Sequence, residues 1–267
     1  MRIPFTKLHG AKNDFLITPA AEVPITDLQE LAIAICNRYT GVGADGWMIL
    51  DATEGPGYDA TIRLFNSDGS EPELSGNGTR CAALLLARDG AMSTIRIRTG
   101  AGIKELRVVS AQGAREFQFE MNMGAIRVVQ LHEDVQGFDA VIVDAGNPQC
   151  AIPVDDFDFD WRMAGAAIES DTRFPNRTNV SFIRGVDQHS IEVRFWERGA
   201  GETNSSGTGS TGAAVAAAAR GLVTSPVTVW TPAGPLYLRL GENAFLTGPA
   251  EYVADGYFEY AAAPAQA

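Results

Sequence analysis

Ser75-Gly76-Asn77-Gly78-Thr79, followed by Ala82-Ala83, returns about half a chain later as Ser206-Gly207-Thr208-Gly209-Ser210, followed by Ala213-Ala214. Each copy closes a polar, glycine-rich stretch and opens a small, apolar helix. A helix start leaves backbone N–H groups without intrahelical partners and carries a positive partial charge. Glycine lets that backbone approach an anion closely, so Gly76-Asn77 and Gly207-Thr208 suit a carboxylate. The plainer reading makes Ser75 and Ser206 ordinary N-caps, a role serine favours. One copy alone supports that reading. Two copies, one per half and each after an acidic polar loop, favour one small acidic ligand held by two similar halves.

Weaker echoes keep the same order. Ala11-Lys12-Asn13 is answered by Ala145-Gly146-Asn147, and Asn37-Arg38 before Gly41-Val42-Gly43 by Asn176-Arg177 before Thr178-Asn179-Val180. An internal duplication divides the 267-residue chain into domains 1–121 and 122–255, hinged near 121–127. A strand at about 256–267 is expected to return to the first domain.

Short runs rich in β-branched and aromatic residues predict strands at Ile3–His9, Phe15–Thr18, Trp47–Leu50, Thr61–Phe65, Ser93–Arg98, Lys104–Ser110 and Glu116–Met121. The second half repeats the style at Ala140–Val143, Val180–Arg184, Ser190–Trp196, Val227–Thr231 and Leu236–Arg239. Asp27–Arg38 reads as a helix with Thr26 as N-cap and Gln29 closing a capping box. Arg162–Glu169 reads as its counterpart. Cys81–Ala87 and Gly212–Ala219 carry almost no polar residue on any face, and a helix apolar all round is buried all round. The expected fold class is therefore α/β, with two pseudo-symmetric domains, each a rolled, mostly antiparallel β sheet around a central helix.

A net charge of −12 and a pI near 4.7 exclude nucleic acid and anionic membranes as main partners. No apolar run approaches the ~20 residues of a membrane span. The start, Met1-Arg2-Ile3-Pro4-Phe5, lacks the apolar core of a secretory signal. Cys36, Cys81 and Cys150 are unpatterned and fit reduced thiols, so a cytoplasmic protein is expected. His9, His132 and His189 have no metal-ligand spacing, and Gly41-Val42-Gly43 is too short for a dinucleotide fingerprint. Neither metal nor cofactor is expected.

Glu197-Arg198, at a predicted strand end, can bind the ammonium and the carboxylate of an amino acid. Such neighbours also commonly end as a surface ion pair at a turn. Asn13, Asn66, Asn147 and Asn179 are each ordinary turn residues. Together they suit a polar zwitterion.

Phe5-Thr6-Lys7-Leu8-His9-Gly10-Ala11-Lys12-Asn13-Asp14-Phe15, Gly41-Val42-Gly43-Ala44-Asp45-Gly46, and Phe65-Asn66-Ser67-Asp68-Gly69-Ser70-Glu71 fall in one order with the Ser75–Cys81 motif. Gly146-Asn147-Pro148, Phe174–Val180, Glu197–Thr203 and Leu246–Ala250 follow. This series resembles the diaminopimelate epimerase family across nearly the whole chain. The resemblance implies two pseudo-symmetric α/β domains, a homodimer, and cofactor-free conversion of LL-diaminopimelate to its meso form for lysine and peptidoglycan synthesis. It implies substrate contacts from Asn13, Asn66, Asn147, Asn179, Glu197 and Arg198, and from the backbone of Gly76-Asn77 and Gly207-Thr208. The catalytic positions that it marks are Ser75, Ser206, Gln149 and Glu197.

Three of those positions depart from the family. Its two proton-carrying cysteines match Ser75 and Ser206, and its histidine after Gly-Asn-Pro matches Gln149. Lys12 also replaces a usually small residue. A thiol, with a reference pKa of about 8.5, becomes a thiolate readily at a helix start. A hydroxyl needs a strong neighbouring base. Asp45, Asp68 and Glu71 lie in or near the motifs and are the carboxylates to test as substitute bases, although turn and capping roles account for them better. Three accounts of the serines stand open: engineered substitutions, a natural lineage with altered proton carriers, or another task in the same cage. That task is isomerisation or dehydration of another amino acid, or binding without turnover.

Overall fold

In the computed structural model, which describes residues 1–24, 27–89 and 92–261, the strands run in a regular succession. They are β1 (Arg2–Gly10), β2 (Asn13–Pro19), β3 (Gly46–Asp51), β4 (Ala60–Asn66), β5 (Thr94–Thr99), β6 (Gly102–Gln112) and β7 (Glu116–Gly124). β8 (Arg127–Val135), β9 (Phe138–Asp144), β10 (Pro148–Pro153), β11 (Asn179–Asp187), β12 (Ser190–Glu197) and β13 (Gly201–Thr203) follow. β14 (Val227–Thr231), β15 (Gly234–Arg239) and the long β16 (Ala244–Glu259) complete the set. The helices are α1 (Leu28–Cys36), α2 (Gly76–Asp89), α3 (Trp161–Glu169) and α4 (Gly207–Ala219). No helix among the described residues is long and apolar enough to cross a membrane.

The chain forms two compact units, Met1–Phe119 with the segment from Pro249 onward, and Glu120–Gly248. In the first, β1 to β7 lie side by side in chain order, and β16 pairs with both β7 and β1, closing a ring. Arg2 stands opposite Glu259 and Phe5 opposite Gly256. Residues 262–267, included in the expected returning strand, lie outside the described residues. In the second unit the order is β8-β9-β10-β11-β12-β14-β15-β16, with β13 on β12.

The pairing pattern makes the pseudo-symmetry explicit. From β1 to β6 the neighbours alternate antiparallel, parallel, antiparallel, parallel, antiparallel. From β9 through β10, β11, β12 and β14 to β15 the alternation is the same. Parallel neighbours need a crossover, usually a helix. α1 and α3 serve the first parallel step of each unit, and α2 and α4 the second. α2 packs on β1, β2, β5 and β6, whereas α4 packs on seven strands from β8 to β15. These are the central helices. α1 and α3 cover the other face: Leu31 and Ile35 lie over Trp47 and Phe65, and Trp161 and Ile168 over Val180 and Phe182.

Local chemistry sets the helix bounds. Asp27 caps α1, its Oδ1 accepting the N–H groups of Gln29 at 2.9 Å and Glu30 at 3.2 Å. The expected cap, Thr26, lies outside the described residues. α1 stops at Cys36 because Asn37 turns extended and its Oδ1 accepts from Tyr39 and Thr40. Arg38, expected in the helix, is thereby free to reach acids on the neighbouring loops. α2 and α4 start at the glycine motifs themselves, five residues earlier than their apolar runs. Burial overrides the poor helix propensity of glycine there. β8, β10, the short β13 and the part of β16 before residue 256 escape a pattern search. The core of β10, Gln149 to Ile152, is a fully buried run bounded by prolines and too short to show alternation.

Candidate active site

In the first unit, Ser75 caps α2: its Oγ accepts the Gly78 N–H at 3.1 Å, and its carbonyl accepts from Thr79 N at 2.8 Å. Helix geometry leaves the N–H groups of Gly76 and Asn77 pointing out of the helix start. Among the described residues the Ser75 O–H makes no hydrogen bond. Ser75 also lines a cavity of about 380 Å³ with Arg63, Glu71 and Arg98. Asn77 is buried and its Nδ2 donates to Asn13 Oδ1 at 3.1 Å. A Cβ at Gly10 would lie 2.9 Å from the Asn77 carbonyl oxygen, so only glycine lets β1 close on this turn. Asn13 Nδ2 donates in turn to Asp45 at 2.6 Å. Asn66 stands apart from this chain, donating to Ser70 Oγ at 2.9 Å inside its own turn.

The three carboxylates nominated as substitute bases are occupied. Asp45 is bound by Asn13 and, at 2.7 Å, by Arg38. Asp68 accepts from the Ser70 hydroxyl and N–H, which hold its carboxyl below the usual range. Glu71 takes a two-pronged contact from Arg63 at 2.9 and 3.0 Å, which lowers it likewise. None of the three touches Ser75.

The second unit has what the first lacks. Ser206 is buried and caps α4, its Oγ accepting the Gly209 N–H at 3.1 Å. The same hydroxyl donates to Glu197 Oε2 at 3.0 Å, while Thr203 Oγ1 donates to Oε1 at 2.6 Å. Burial pushes the Glu197 carboxyl up, against the lowering effect of these two hydroxyls. A hydrogen-bonded acid-to-hydroxyl pair at a helix start can in principle move a proton. The pair is not legible in sequence as a contact. It forms because Glu197 ends β12 and the hairpin sets Glu197 opposite Gly201 and Phe195 opposite Thr203. The clue available beforehand was a Gly-Ala-Gly turn between the acid and the repeated motif.

Asn147, Gln149 and Asn179 gather beside it. Gln149 is buried, and its Nε2 donates to Asn147 Oδ1 at 2.7 Å. Asn147 Nδ2 reaches Thr208 Oγ1 at 3.4 Å, which ties this loop to the second residue of α4. Gln149 Oε1 is buried without a hydrogen-bond partner. Asn179 accepts the Arg198 N–H at 3.0 Å and donates to the Pro148 carbonyl. The exposed Arg198 guanidinium donates to the Asn176 carbonyl. Glu169, unremarked in the sequence, holds the turn beyond Glu197: its carboxylate accepts from Gly199 N, Trp196 Nε1 and Arg177.

Gly209 has a steric duty in this unit. A Cβ there would lie 2.9 Å from both Cβ and Oγ of Ser206 and 3.0 Å from the Phe195 ring. Gly209→Ala is expected to cost about 1–3 kcal/mol, as overpacking does, and to move Ser206 off Glu197. Urea unfolding checks the first effect. A Gly209→Ala protein as stable as the native chain would show that the contact relaxes freely.

Comparison with known proteins gives a consistent picture. The family model described as diaminopimelate epimerase matches residues 5–129 and 141–253. A diaminopimelate epimerase of Pelotomaculum thermopropionicum is 36% identical, the match covering 96% of this chain and 99% of that protein. Among solved structures, a phenazine biosynthesis protein of the PhzF family from Bacillus anthracis superposes with a TM-score of 0.74 at 16% identity, covering 96% of this chain and 99% of that one. A hydroxyproline epimerase from Agrobacterium vitis does so with a TM-score of 0.70 at 14% identity, covering 96% and 92%. At these identities the two structures speak to the fold alone.

Proposed function

This chain belongs to the diaminopimelate epimerase family and is an isomerase, and from that premise we propose that it epimerises LL-diaminopimelate to the meso form with two hydroxyls in place of two thiols. The reaction uses no cofactor and serves lysine and peptidoglycan precursor synthesis in the cytoplasm. The matched order of the two units supports an internal duplication, and the family resemblance supports a homodimer. The observation that carries the chemical reading is the hydrogen bond from Ser206 to Glu197.

Ser206 Oγ takes the α-proton while its own proton passes to Glu197, so a Cα–H bond breaks and a carboxylic acid forms. The electron pair left on carbon spreads into the substrate carboxylate, whose charge the N–H groups of a helix start stabilise. By the family resemblance, inversion then needs a proton from Ser75, which has a hydroxyl to give and no carboxylate hydrogen-bonded to it. Return of a proton from the Ser206 side needs only exchange of the Glu197 proton with water. Exchange is therefore expected to outrun inversion, and both to be slow.

Proton NMR of LL-diaminopimelate with the protein in D₂O tests this. The expected result is slow loss of the α-proton signal ahead of any meso product. Loss with another amino acid but not with diaminopimelate would overturn the substrate. Binding of diaminopimelate with no exchange at any pH would overturn turnover and leave a binding protein.

A further inference from the structure

Arg80 lies on α2, one turn in from its start, and is fully buried. No carboxylate pairs with it among the described residues. Its Nε donates to the Pro249 carbonyl at 3.1 Å, and one Nη donates to Asn77 Oδ1. The other Nη is buried without any acceptor. Burial pulls the guanidinium down to about 10, which still leaves it a cation at neutral pH.

An unpaired buried charge is costly, and folds normally place a counter-charge beside it. Here the groups that it bonds, the Pro249 carbonyl and the Asn77 amide, are neutral, and Asn77 is the second residue of the helix, whose start leaves N–H groups unpaired. The contact to Asn77 also orders the site. With Oδ1 held by Arg80, Asn77 must present Nδ2 to Asn13 Oδ1, and Asn13 must then present Nδ2 to Asp45. Each amide has one orientation. Close packing of Gly10 on the Asn77 backbone keeps the assembly in place.

We propose that Arg80 is the buried positioning residue of a carboxylate site at the start of α2: it orients Asn77 and Asn13, and it supplies the formal charge that a bound carboxylate neutralises. The inference rests on the reading of Gly76-Asn77 as a carboxylate site. Arg80 acts from behind the helix start rather than as a donor to the ligand.

The test compares binding of diaminopimelate with that of its α-carboxamide, by calorimetry, to the native chain, Arg80→Gln and Arg80→Lys. The native chain is expected to prefer the carboxylate, and Arg80→Gln to weaken the carboxylate by about thirtyfold or more while changing the carboxamide far less. A merely structural role would weaken both alike and leave their ratio unmoved. Arg80→Lys keeps the charge and is expected to keep the preference. A folded Arg80→Lys protein that loses the preference would overturn the charge role even where Arg80→Gln does not fold. Native binding with a ratio indifferent to Arg80→Gln would overturn the inference alone. No native binding of either compound would overturn the substrate reading, and the inference with it.

Discussion

Glu197→Gln lowers α-proton exchange by about a thousandfold, within the span of removing a general base, and leaves the protein folded. Glutamine keeps the shape of the side chain and can still accept from Thr203 or Ser206, so what it removes is basicity. The pH dependence adds a second signature. The reactive form is the carboxylate, which is lost as pH falls through the pKa of Glu197 in the folded protein. Burial raises that pKa. The acidic limb of kcat/KM is therefore expected above the range of an ordinary carboxylate, and it disappears in the glutamine variant. Stability runs the other way. An acid whose pKa is raised on folding opposes folding as pH rises, so Glu197→Gln is expected to melt no lower than the native chain at neutral pH. Exchange at the native rate, or an acidic limb that survives the substitution, would assign the base elsewhere.

The double variant Ser75→Cys/Ser206→Cys gains in rate by about a hundredfold or more. A thiol near pKa 8.5 is lowered further at a helix start, and both positions are such starts. The Gly78 and Gly209 N–H groups that now face the hydroxyls stand ready to hold thiolates. The gain is expected to be larger for inversion than for exchange, because Ser75 is the partner without a carboxylate. Ser75→Cys alone should recover most of the inversion, and Ser206→Cys alone little of it. The meso product and the lost α-proton signal are followed in one NMR experiment. If the double variant is no faster than the native chain, the cage has diverged beyond its two proton carriers.

Much of the fold and part of the candidate site are legible in the sequence, and the reasons differ by residue. Ser75-Gly76-Asn77 and Ser206-Gly207-Thr208 are legible because a helix start that receives an anion needs small residues at fixed spacing. Their doubling shows the two-unit plan. β10 is hidden because Gln149 to Ile152 is buried on both sides and shows no period. The Glu197–Ser206 contact is hidden because it depends on how a hairpin folds back. Asp45, Asp68 and Glu71 stand near the motifs in sequence, yet Arg38, Ser70 and Arg63 claim them. Arg80 is hidden by its type: an arginine beside an apolar run reads as a surface residue until the ring of strands closes round it.

The fate of the sulfur in this molecule has a chemical consequence. Cys36, Cys81 and Cys150 are all buried, and burial pushes each thiol up to about 12. At neutral pH none is a nucleophile, and none sits at either helix start. Oxidants and electrophiles attack thiolates that solvent can reach. Two thiolates placed at the starts of α2 and α4 would be open to both kinds of reagent. With Ser75 and Ser206 at the two helix starts, peroxide or an alkylating agent finds no thiolate to modify at either position.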